Sequence, residues 1–156
     1  MIELDVPGRG RLSIENAVFD VNGTLAEDGA ISENVLGLLI DLAAKVPVHL
    51  LTADTYGTIR SQVDGSPLGL TIVVPPGEAE QKAGFVRSLG AGSTAVFGNG
   101  ANDIMMFEGA ALSVMVFSKE GCHGPLAVKA DVLVPSSESA VELLLNPKRL
   151  IATLRF

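Results

Sequence analysis

Four groups of polar residues carry the chemistry that this sequence allows. They are Asp20 to Thr24, Thr52 with Asp54, Lys82, and Asn99 to Asp103. A carboxylate such as that of Asp20 is a nucleophile that forms covalent intermediates, while a hydroxyl, an ammonium and backbone N–H groups hold phosphoryl oxygens. A hard cation such as Mg²⁺, bound by oxygen atoms, screens the negative charges from one another. Together the four groups indicate phosphoryl chemistry.

Each group comes just after a predicted strand or on the helix that follows one. Residues 17–20 run from apolar side chains into Asp20, which is typical of a buried strand. Further strands are predicted at 47–52, 70–74, 94–97, 112–117 and 131–134. Ligand sites of open α/β sheets lie outside the carboxyl ends of the strands, so the four groups converge at one sheet edge. The alternation with helices predicts an α/β fold, a three-layer doubly wound parallel sheet with right-handed crossovers, in one domain over residues 1–156.

The remaining elements follow from capping residues and periodicity. Alternating apolar residues predict an N-terminal β-hairpin over 2–14, and residues 27–29 predict a polar turn. His49 lies inside an apolar strand and is interpreted as a core histidine with satisfied hydrogen bonds. Three helices are predicted from capping residues: from Ser32 to about 44, from Asp54 or Thr55 to about 63, and from Ser136 or Ser137 to 145. Three more are predicted after 75–77 to about 89, from about 102, and over 148–156.

Composition narrows the classes of partner. Hydrophobic residues make up 47% of the chain and aromatic residues only 4%, which is typical of parallel strands of Val, Leu and Ile covered by helices. The net charge of −7, without a Lys/Arg-rich run, argues against a nucleic acid partner. Cys122 is the single cysteine, which excludes an internal disulfide and agrees with a reducing cytoplasm. No apolar run approaches ~18 residues, and the N-terminus carries acids where a signal peptide carries bases. We therefore expect a cytoplasmic protein that does not enter a membrane.

The order and spacing of the motifs resemble those of the haloacid-dehalogenase-like (HAD) hydrolases. The match lies in Asp20–Leu25, Leu51–Asp54, Lys82 and Gly98–Asp103, and it covers roughly residues 16 to 135. The first and last of these motifs look especially like those of the P-type ATPase phosphorylation domain and its soluble relatives. The resemblance implies a Mg²⁺-dependent phosphatase with a Rossmann-like fold.

The resemblance also implies a role for each matching residue. Asp20 would form an aspartyl-phosphate, in a catalytic set with Asn22, Thr52 and Lys82. The residues implied to bind phosphate are Gly23, Thr24, Thr52, Ala53, Lys82 and Asn102. The residues implied to hold Mg²⁺ are Asp20, Asn22 through its backbone carbonyl, Asn99 and Asp103. Three roles stay open for Asp103, which would bind the metal directly, bind it through water, or pair with Lys82.

Two asparagines depart from the family pattern. Asn22 stands where family phosphatases usually have the aspartate that protonates the leaving group and activates water. An amide does neither, and such acid–base assistance contributes roughly a hundred- to ten-thousand-fold to the rate. Asn99 stands where an aspartate usually binds the metal, and it offers only a neutral carbonyl oxygen. Because both asparagines precede a glycine, the dipeptide most prone to deamidation, we hypothesise that an aged preparation draws activity from a deamidated fraction.

Little more than one helix separates the first two motifs, so the mobile cap domains of the family have no room. Family members without a cap tend to act on macromolecules or to close the site by oligomerising. We therefore expect a small phosphorylated substrate or a phosphoprotein as partner, and a homodimer or homotetramer. The N-terminal hairpin and residues 148–156 are candidate contact surfaces, and ordinary cover of the sheet edge is the simpler interpretation.

Two functions remain open at this point. The first is a slow phosphohydrolase that works through Asp20. The second is a weak or inactive member of the same fold that binds a phosphorylated ligand or partner as a regulatory module. Asn22 and Asn99 favour the second. The retained residues of the motifs favour the first, and these are Asp20, Thr24, Thr52, Lys82 and Asp103. A response-regulator receiver domain also phosphorylates an aspartate, but it lacks the pattern found here.

Overall fold

The computed structural model describes residues 1–54 and 56–156 and places a parallel sheet at the centre of the chain. The strands are β1 (Ile2–Val6), β2 (Gly10–Ile14), β3 (Asn16–Asp20), β4 (Ala26–Glu27), β5 (Ala30–Ile31), β6 (Val48–Thr52), β7 (Gly69–Ile72), β8 (Thr94–Gly98), β9 (Leu112–Val116) and β10 (Val132–Val134). The α-helices are α1 (Glu33–Ala43), α2 (Ile59–Val63), α3 (Glu78–Leu89), α4 (Ile104–Phe107), α5 (Ser137–Leu145) and α6 (Pro147–Leu154). Short 3₁₀ helices cover Ala91–Ser93, Ala101–Asp103 and Gly124–Leu126.

The order of strands brings the predicted motifs together. The six-stranded sheet runs β10-β9-β8-β3-β6-β7, and every described pair in it is parallel. Strand β3 therefore lies between β8 and β6, with Phe19 opposite Phe97 on one side and Leu50 on the other. At their carboxyl ends, β3 ends with Asp20 and β6 ends with Thr52, and β8 is followed by the motif that begins at Asn99. The predicted doubly wound sheet and its N-terminal hairpin, β1 paired with β2, are confirmed.

Helices cover both faces of the sheet. Successive side chains of a strand point to opposite faces, so each strand contributes to both layers of the core. Phe19 and Phe97 stack at 4.2 Å between ring centroids on the face that packs against α1 and α5. Val18, Leu51 and Val96 point to the other face, toward α3 and α4. This packing holds Asp20 rigidly at the end of β3, since its three preceding residues are fully buried.

Helix caps largely follow the sequence. The Ser32 hydroxyl accepts the Val35 N–H at 3.2 Å, and the Ser136 hydroxyl accepts the Ser139 N–H at 3.1 Å, as the capping pattern predicts. The predicted start of α2 is wrong, because the helix begins at Ile59. Asp54 nevertheless accepts the Ile59 N–H at 3.1 Å from outside the helix. The positive φ of 46° at Asp54 turns the chain away before the helix starts. Thr55, the alternative cap, lies outside the described residues.

Two further segments differ from expectation. The polar turn at 27–29 is the tip of a small hairpin, β4–β5, whose central residues Asp28 and Gly29 have φ of 49° and 77°. Such an Asp-Gly pair favours a tight hairpin turn. The helix expected from Asn102 begins as a 3₁₀ turn and continues as the single α-helical turn of α4. Helix α6 forms as predicted for the C-terminal tail. No helix among the described residues is long and apolar enough to cross a bilayer.

Candidate active site

A buried lysine joins two carboxylates at the centre of the site. The ammonium of Lys82, on α3, lies 2.5 Å from Asp20 Oδ1 and 2.7 Å from Asp103 Oδ1. The Lys82 side chain is 1% exposed, Asp20 8% and Asp103 0%. A lysine on an exposed helix face would be unremarkable, but lysine is almost never fully buried unless it is paired. The three side chains carry one net negative charge when both acids are ionised.

Asp103 is turned toward the protein. Its Oδ2 accepts the backbone N–H groups of Asn99 and Gly100, each at 2.9 Å, while its Oδ1 accepts from Lys82. Both oxygens are thus engaged by three donors. Gly98 makes room for this arrangement, because a Cβ there would lie 2.5 Å from Asp103 Oδ2. Among the three roles left open for Asp103, the structure displays the pairing with Lys82.

Thr24 connects the nucleophile candidate with Asn99. The Thr24 hydroxyl lies 3.0 Å from Asp20 Oδ2 and 3.2 Å from Asn99 Oδ1, and its one proton donates to one of them at a time. Asn99 Nδ2 donates to the Gly121 carbonyl at 3.0 Å, which assigns the amide so that its oxygen faces Thr24. Position 23, just before Thr24, requires glycine. Its φ is 75°, and a Cβ there would lie 2.4 Å from Asn99 Nδ2.

The other predicted residues border the same space. The Thr52 hydroxyl accepts the Asp54 N–H at 2.9 Å and lies 3.4 Å from Asn22 Nδ2. The Oδ1 atom of Asn22 is buried and finds no hydrogen-bond partner among the described residues. Asn102 Oδ1 lies 3.4 Å from the Lys82 ammonium. Ala53 directly follows β6 and is half-buried. All ten predicted site residues therefore lie at this edge of the sheet, at the ends of β3 and β6, on the segments that follow β3, β6 and β8, and on helix α3.

Burial controls the ionisation of the central acid. Burial, and after it the charge of Asp103, raises the pKa of Asp20 from 3.8 to about 7, while Lys82 and the Thr24 hydrogen bond oppose the rise. Burial alone lowers the pKa of Lys82, but the two carboxylates outweigh it and raise the pKa above its usual value. The lysine is therefore a fixed positive charge, and Asp20 is the group whose charge changes near neutral pH.

The donor set suits a hard cation but carries little charge. Asp20 Oδ2 and Asn99 Oδ1 lie 3.0 and 3.2 Å from the Thr24 hydroxyl, so a carboxylate oxygen and an amide oxygen flank it. Oxygen ligands are those that Mg²⁺ prefers. Over residues 1–54 and 56–156, no three His, Cys, Asp or Glu side chains gather into a metal-ligand group. One carboxylate oxygen and one amide oxygen are thus the donors beside Thr24, and both are of the type that suits a divalent cation.

The structure argues against the deamidation hypothesis. Deamidation proceeds by attack of the next backbone nitrogen on the asparagine side chain. The Gly23 N–H donates to the Ala26 carbonyl at 2.9 Å, and the Gly100 N–H donates to Asp103 at 2.9 Å. Both nitrogens are held in hydrogen bonds, so neither Asn-Gly pair is free to close the ring.

Contacts that sequence reasoning missed hold the β4–β5 hairpin over the site. On one side, Gln62 accepts the Ile31 N–H and donates to the Gly29 carbonyl, both at 2.8 Å. On the other side, Lys119 pairs with Glu27 at 2.9 Å across 92 residues of sequence. No short-range signal marks these residues, because each partner belongs to a distant loop or helix.

The two histidines lie beside the site without entering the central cluster. His49 packs edge-on against Phe85 with 5.4 Å between ring centroids, and burial lowers its pKa. His49 is only half-buried rather than a core residue, and its Nε2 is buried without a partner in the described part of the chain, so the expected core histidine with satisfied hydrogen bonds is wrong. The His123 N–H donates to the Asn99 carbonyl at 2.7 Å and ties the loop after β9 to the site.

A cavity of about 540 Å³ has Thr24 in its wall and is not lined by Lys82. It opens between the β4–β5 hairpin and the loops after β9 and β10. Glu27, Lys119 and Glu138 contribute charged groups to its wall, and Phe117 contributes an aromatic face. The space has the size of a small molecule and a mixed polar lining.

Comparison with solved structures identifies the fold. A phosphatase of 3-deoxy-D-manno-octulosonate 8-phosphate from Yersinia pestis superposes with a TM-score of 0.68 at 15% identity, covering 98% of this chain and 95% of that one. A protein named as a HAD family hydrolase, from Streptomyces avermitilis, gives 0.62 at 16% identity over 92% and 85% of the two chains. The fold is that of the HAD-like hydrolases.

Two further comparisons complete this result. The Moraxella catarrhalis phosphatase of the same substrate, in complex with magnesium, phosphate and the sugar acid, has a TM-score of 0.65 at 17% identity, over 91% of this chain and 94% of that one. An uncharacterized protein of Methanocaldococcus jannaschii is 38% identical over 58 residues, which are 37% of this chain and 62% of the relative. The chain thus aligns with less than two thirds of that relative. No protein-family model matches the chain.

Proposed function

We propose that this protein is a phosphohydrolase that transfers a phosphoryl group from its substrate to Asp20 and then to water. The observation that carries the proposal is the buried Asp20, held at the end of the central strand by Lys82 on one oxygen and Thr24 on the other. The HAD-like fold supports it, because solved proteins of this fold are named as phosphatases.

The residues around Asp20 have distinct tasks in this proposal. Asp20 attacks phosphorus as the ionised carboxylate, and the leaving oxygen departs with the bonding electron pair. Lys82 stabilises the negative charge that the phosphoryl oxygens carry during transfer, and the Thr52 hydroxyl and Asn102 amide offer further hydrogen bonds. Thr24 orients the nucleophile, since its hydroxyl is bound to Asp20 Oδ2. Gly23 contributes the turn rather than a hydrogen bond to phosphate, because its N–H is already bonded to the Ala26 carbonyl.

Asn22 shapes the rate of both half-reactions. Its amide donates or accepts a hydrogen bond but does not give a proton to the leaving oxygen or take one from water. Departure of the leaving group therefore depends on that group's own acidity. Attack of water on the phosphoenzyme lacks a base, so hydrolysis of the aspartyl-phosphate is slow as well.

We propose that a divalent cation, Mg²⁺ in the cell, supports the transfer. Asp20, the backbone carbonyl of Asn22 and the Asn99 side chain would hold it, and it would supply positive charge to the phosphoryl oxygens. Asp103 assists indirectly by fixing Lys82. The magnesium and phosphate bound to the Moraxella catarrhalis phosphatase support this part of the proposal. A small phosphorylated molecule or a phosphoprotein as substrate, a homo-oligomeric state and a cytoplasmic location remain our expectations.

Hydrolysis of an aryl phosphate by three proteins tests the proposal. We expect slow release of phosphate by the wild type, none by Asp20→Asn, and roughly a hundred- to ten-thousand-fold faster release by Asn22→Asp. Beryllofluoride, which mimics a phosphoryl group on a carboxylate, should bind the wild type but not Asp20→Asn. A wild type that binds phosphate yet forms no adduct and shows no turnover would instead establish the regulatory binding module, which the amides at Asn22 and Asn99 favour.

A further inference from the structure

The amide of Asn22 presents a hydrogen-bond acceptor without a donor. Its Oδ1 atom is buried, and no partner contacts it within residues 1–54 and 56–156. Its Nδ2 atom lies 3.4 Å from the Thr52 hydroxyl oxygen, which also accepts the Asp54 N–H at 2.9 Å. A buried acceptor that lacks a donor costs free energy. Asn22 as a whole is only half-buried, so its side chain can turn this oxygen toward a bound group that brings an N–H or O–H.

The transferring phosphoryl group does not supply that donor, because its oxygens are acceptors. The donor has to come from the group to which phosphorus is bound. In a phosphate ester of an alcohol or phenol, the bridging oxygen carries no hydrogen. In a phosphoramidate of ammonia or a primary amine, the bridging nitrogen carries at least one. A phosphoramidate therefore brings the donor that Asn22 Oδ1 lacks, and an ester does not.

The acids at this sheet edge are engaged in other contacts. Asp20 is the proposed nucleophile, Asp54 accepts a backbone N–H at 3.1 Å, and both oxygens of Asp103 accept hydrogen bonds. The Lys82 ammonium is held between Asp20 and Asp103, and both favour its charged form. With an amide at Asn22, a leaving oxygen departs as an anion. The bridging nitrogen of a phosphoramidate takes up its own proton and departs as a neutral amine, so the missing acid slows cleavage of P–O bonds more than of P–N bonds.

The charges around the site also favour a basic leaving group. Asp20, Asp103 and Lys82 together carry one net negative charge when both acids are ionised. The neighbouring cavity of about 540 Å³ is lined by two glutamates and one lysine, which again leave one net negative charge. These fields attract a cationic nitrogen and repel a leaving group that carries an acid.

We propose that the substrates of this site are phosphoramidates of ammonia or a primary amine, and that Asn22 Oδ1 accepts a hydrogen bond from the bridging nitrogen. The inference rests on the proposed function, because it uses the same transfer to Asp20. The Asp20 carboxylate forms a bond to phosphorus, the P–N bond breaks, and its electron pair stays on the nitrogen. The protonated nitrogen leaves as a neutral amine. Water then attacks phosphorus, its proton passes to solvent, and the electron pair of the broken P–O bond returns to the Asp20 carboxylate.

Rates on two small substrates in Mg²⁺ buffer test the inference. Inorganic phosphoramidate and phenyl phosphate are compared through kcat/KM, which ends at the transfer to Asp20 and excludes the second half-reaction that both share. Asn22→Asp should raise kcat/KM roughly a hundred- to ten-thousand-fold for phenyl phosphate and less than about ten-fold for phosphoramidate. Asp20→Asn measures the spontaneous hydrolysis of each compound. Asn34→Asp adds the same charge at an exposed position of α1 and should leave both rates unchanged.

A second variant tests the acceptor itself. Asn22→Ala removes Oδ1 and should lower kcat/KM for phosphoramidate by at least ~10-fold, the order expected of one hydrogen bond to a charged donor. The rate on phenyl phosphate should stay near that of the wild type, because its bridging oxygen offers no hydrogen. Polylysine phosphorylated on nitrogen carries the same P–N bond on a protein side chain. The larger kcat/KM of the two phosphoramidates identifies a small-molecule or a protein source.

Other outcomes would overturn the inference. It fails if Asn22→Asp accelerates both substrates equally, if Asn22→Ala slows both equally, or if the wild type hydrolyses phosphoramidate no faster than Asp20→Asn does. A beryllofluoride adduct and Asp20-dependent release from phenyl phosphate would still stand in those cases, so a failure here is distinct from a failure of the proposed function. Should the variants of Asn22 not fold by circular dichroism, acid quenching of the wild type decides. Phosphoramidate should leave more aspartyl-phosphate than phenyl phosphate at equal concentration, and less would contradict the inference.

Discussion

Replacing Asp20 with asparagine should stabilise the fold, although it removes the proposed nucleophile. Burial raises the pKa of Asp20 from 3.8 to about 7, so the folded state favours the protonated acid and pays free energy to ionise it. For an acid whose pKa is raised by folding, that loss of stability is small below the unfolded pKa and complete above the folded pKa. The asparagine carries no charge at any pH, and Lys82 keeps Asp103 as its partner.

The size of the effect follows from the same pKa values. The rise of the Asp20 pKa from 3.8 to about 7 corresponds to about 4 kcal/mol of unfolding free energy at pH 8, and to about 2 kcal/mol at pH 5. The difference between Asp20→Asn and the wild type should therefore widen as the pH rises from 4 to 8. Urea denaturation in EDTA, followed by circular dichroism across this pH range, measures it.

A matched control separates this effect from a change in total charge. Asp41→Asn removes one acid from the exposed face of α1 and should change the unfolding free energy little at any pH. If Asp20→Asn proves less stable than the wild type at every pH, the ion pair of Asp20 with Lys82 is net stabilising and our reasoning about burial is wrong.

Three other perturbations test the remaining parts of the site. Lys82→Met leaves two buried carboxylates without their cation and should lower the unfolding free energy by about 3–5 kcal/mol at neutral pH, as a thermal melt would show. The loss should be smaller in acid, and no loss at any pH would contradict the pairing. Wild-type rates on a series of aryl phosphates should fall steeply as the leaving phenol becomes less acidic, whereas rates of Asn22→Asp should fall less; equal slopes would mean that proton transfer has another source. Peptide mass spectrometry after prolonged storage should find intact amides at Asn22-Gly23 and Asn99-Gly100, and acid at either would show that the hydrogen-bonded glycine nitrogens do not protect them.

Much of the fold could be predicted because local signals agreed with the topology. The apolar run into Asp20 marked the central strand, and Ser32 and Ser136 marked two helix starts through their capping hydroxyls. The β4–β5 hairpin was missed although its Asp28-Gly29 turn was visible in the sequence, because its strands are only two residues long. Short strands carry no periodicity to detect.

The site could be predicted in part for a different reason. Parallel strands fix where Asp20 and the residues after Gly98 meet, so their convergence follows from topology. The burial of Lys82 and the three donors on Asp103 depend on side-chain packing, which no sequence spacing encodes. The bond from Asn99 to Gly121 and the anchors of the hairpin join residues far apart in the chain, and only the folded structure shows them.

Two of the contacts that attach the β4–β5 hairpin, those of Gln62 and Lys119, differ in how they respond to salt. Gln62 holds one edge through uncharged hydrogen bonds that are partly buried, and these bonds are insensitive to salt. Lys119 and Glu27 hold the other edge through an ion pair whose side chains are 85% and 49% exposed. Salt screens exposed charges over about 8 Å at physiological ionic strength, so added salt loosens one edge and leaves the other in place. The Lys119 edge, which lines the cavity beside Thr24, is therefore the edge of the hairpin whose attachment depends on the ionic strength of the medium.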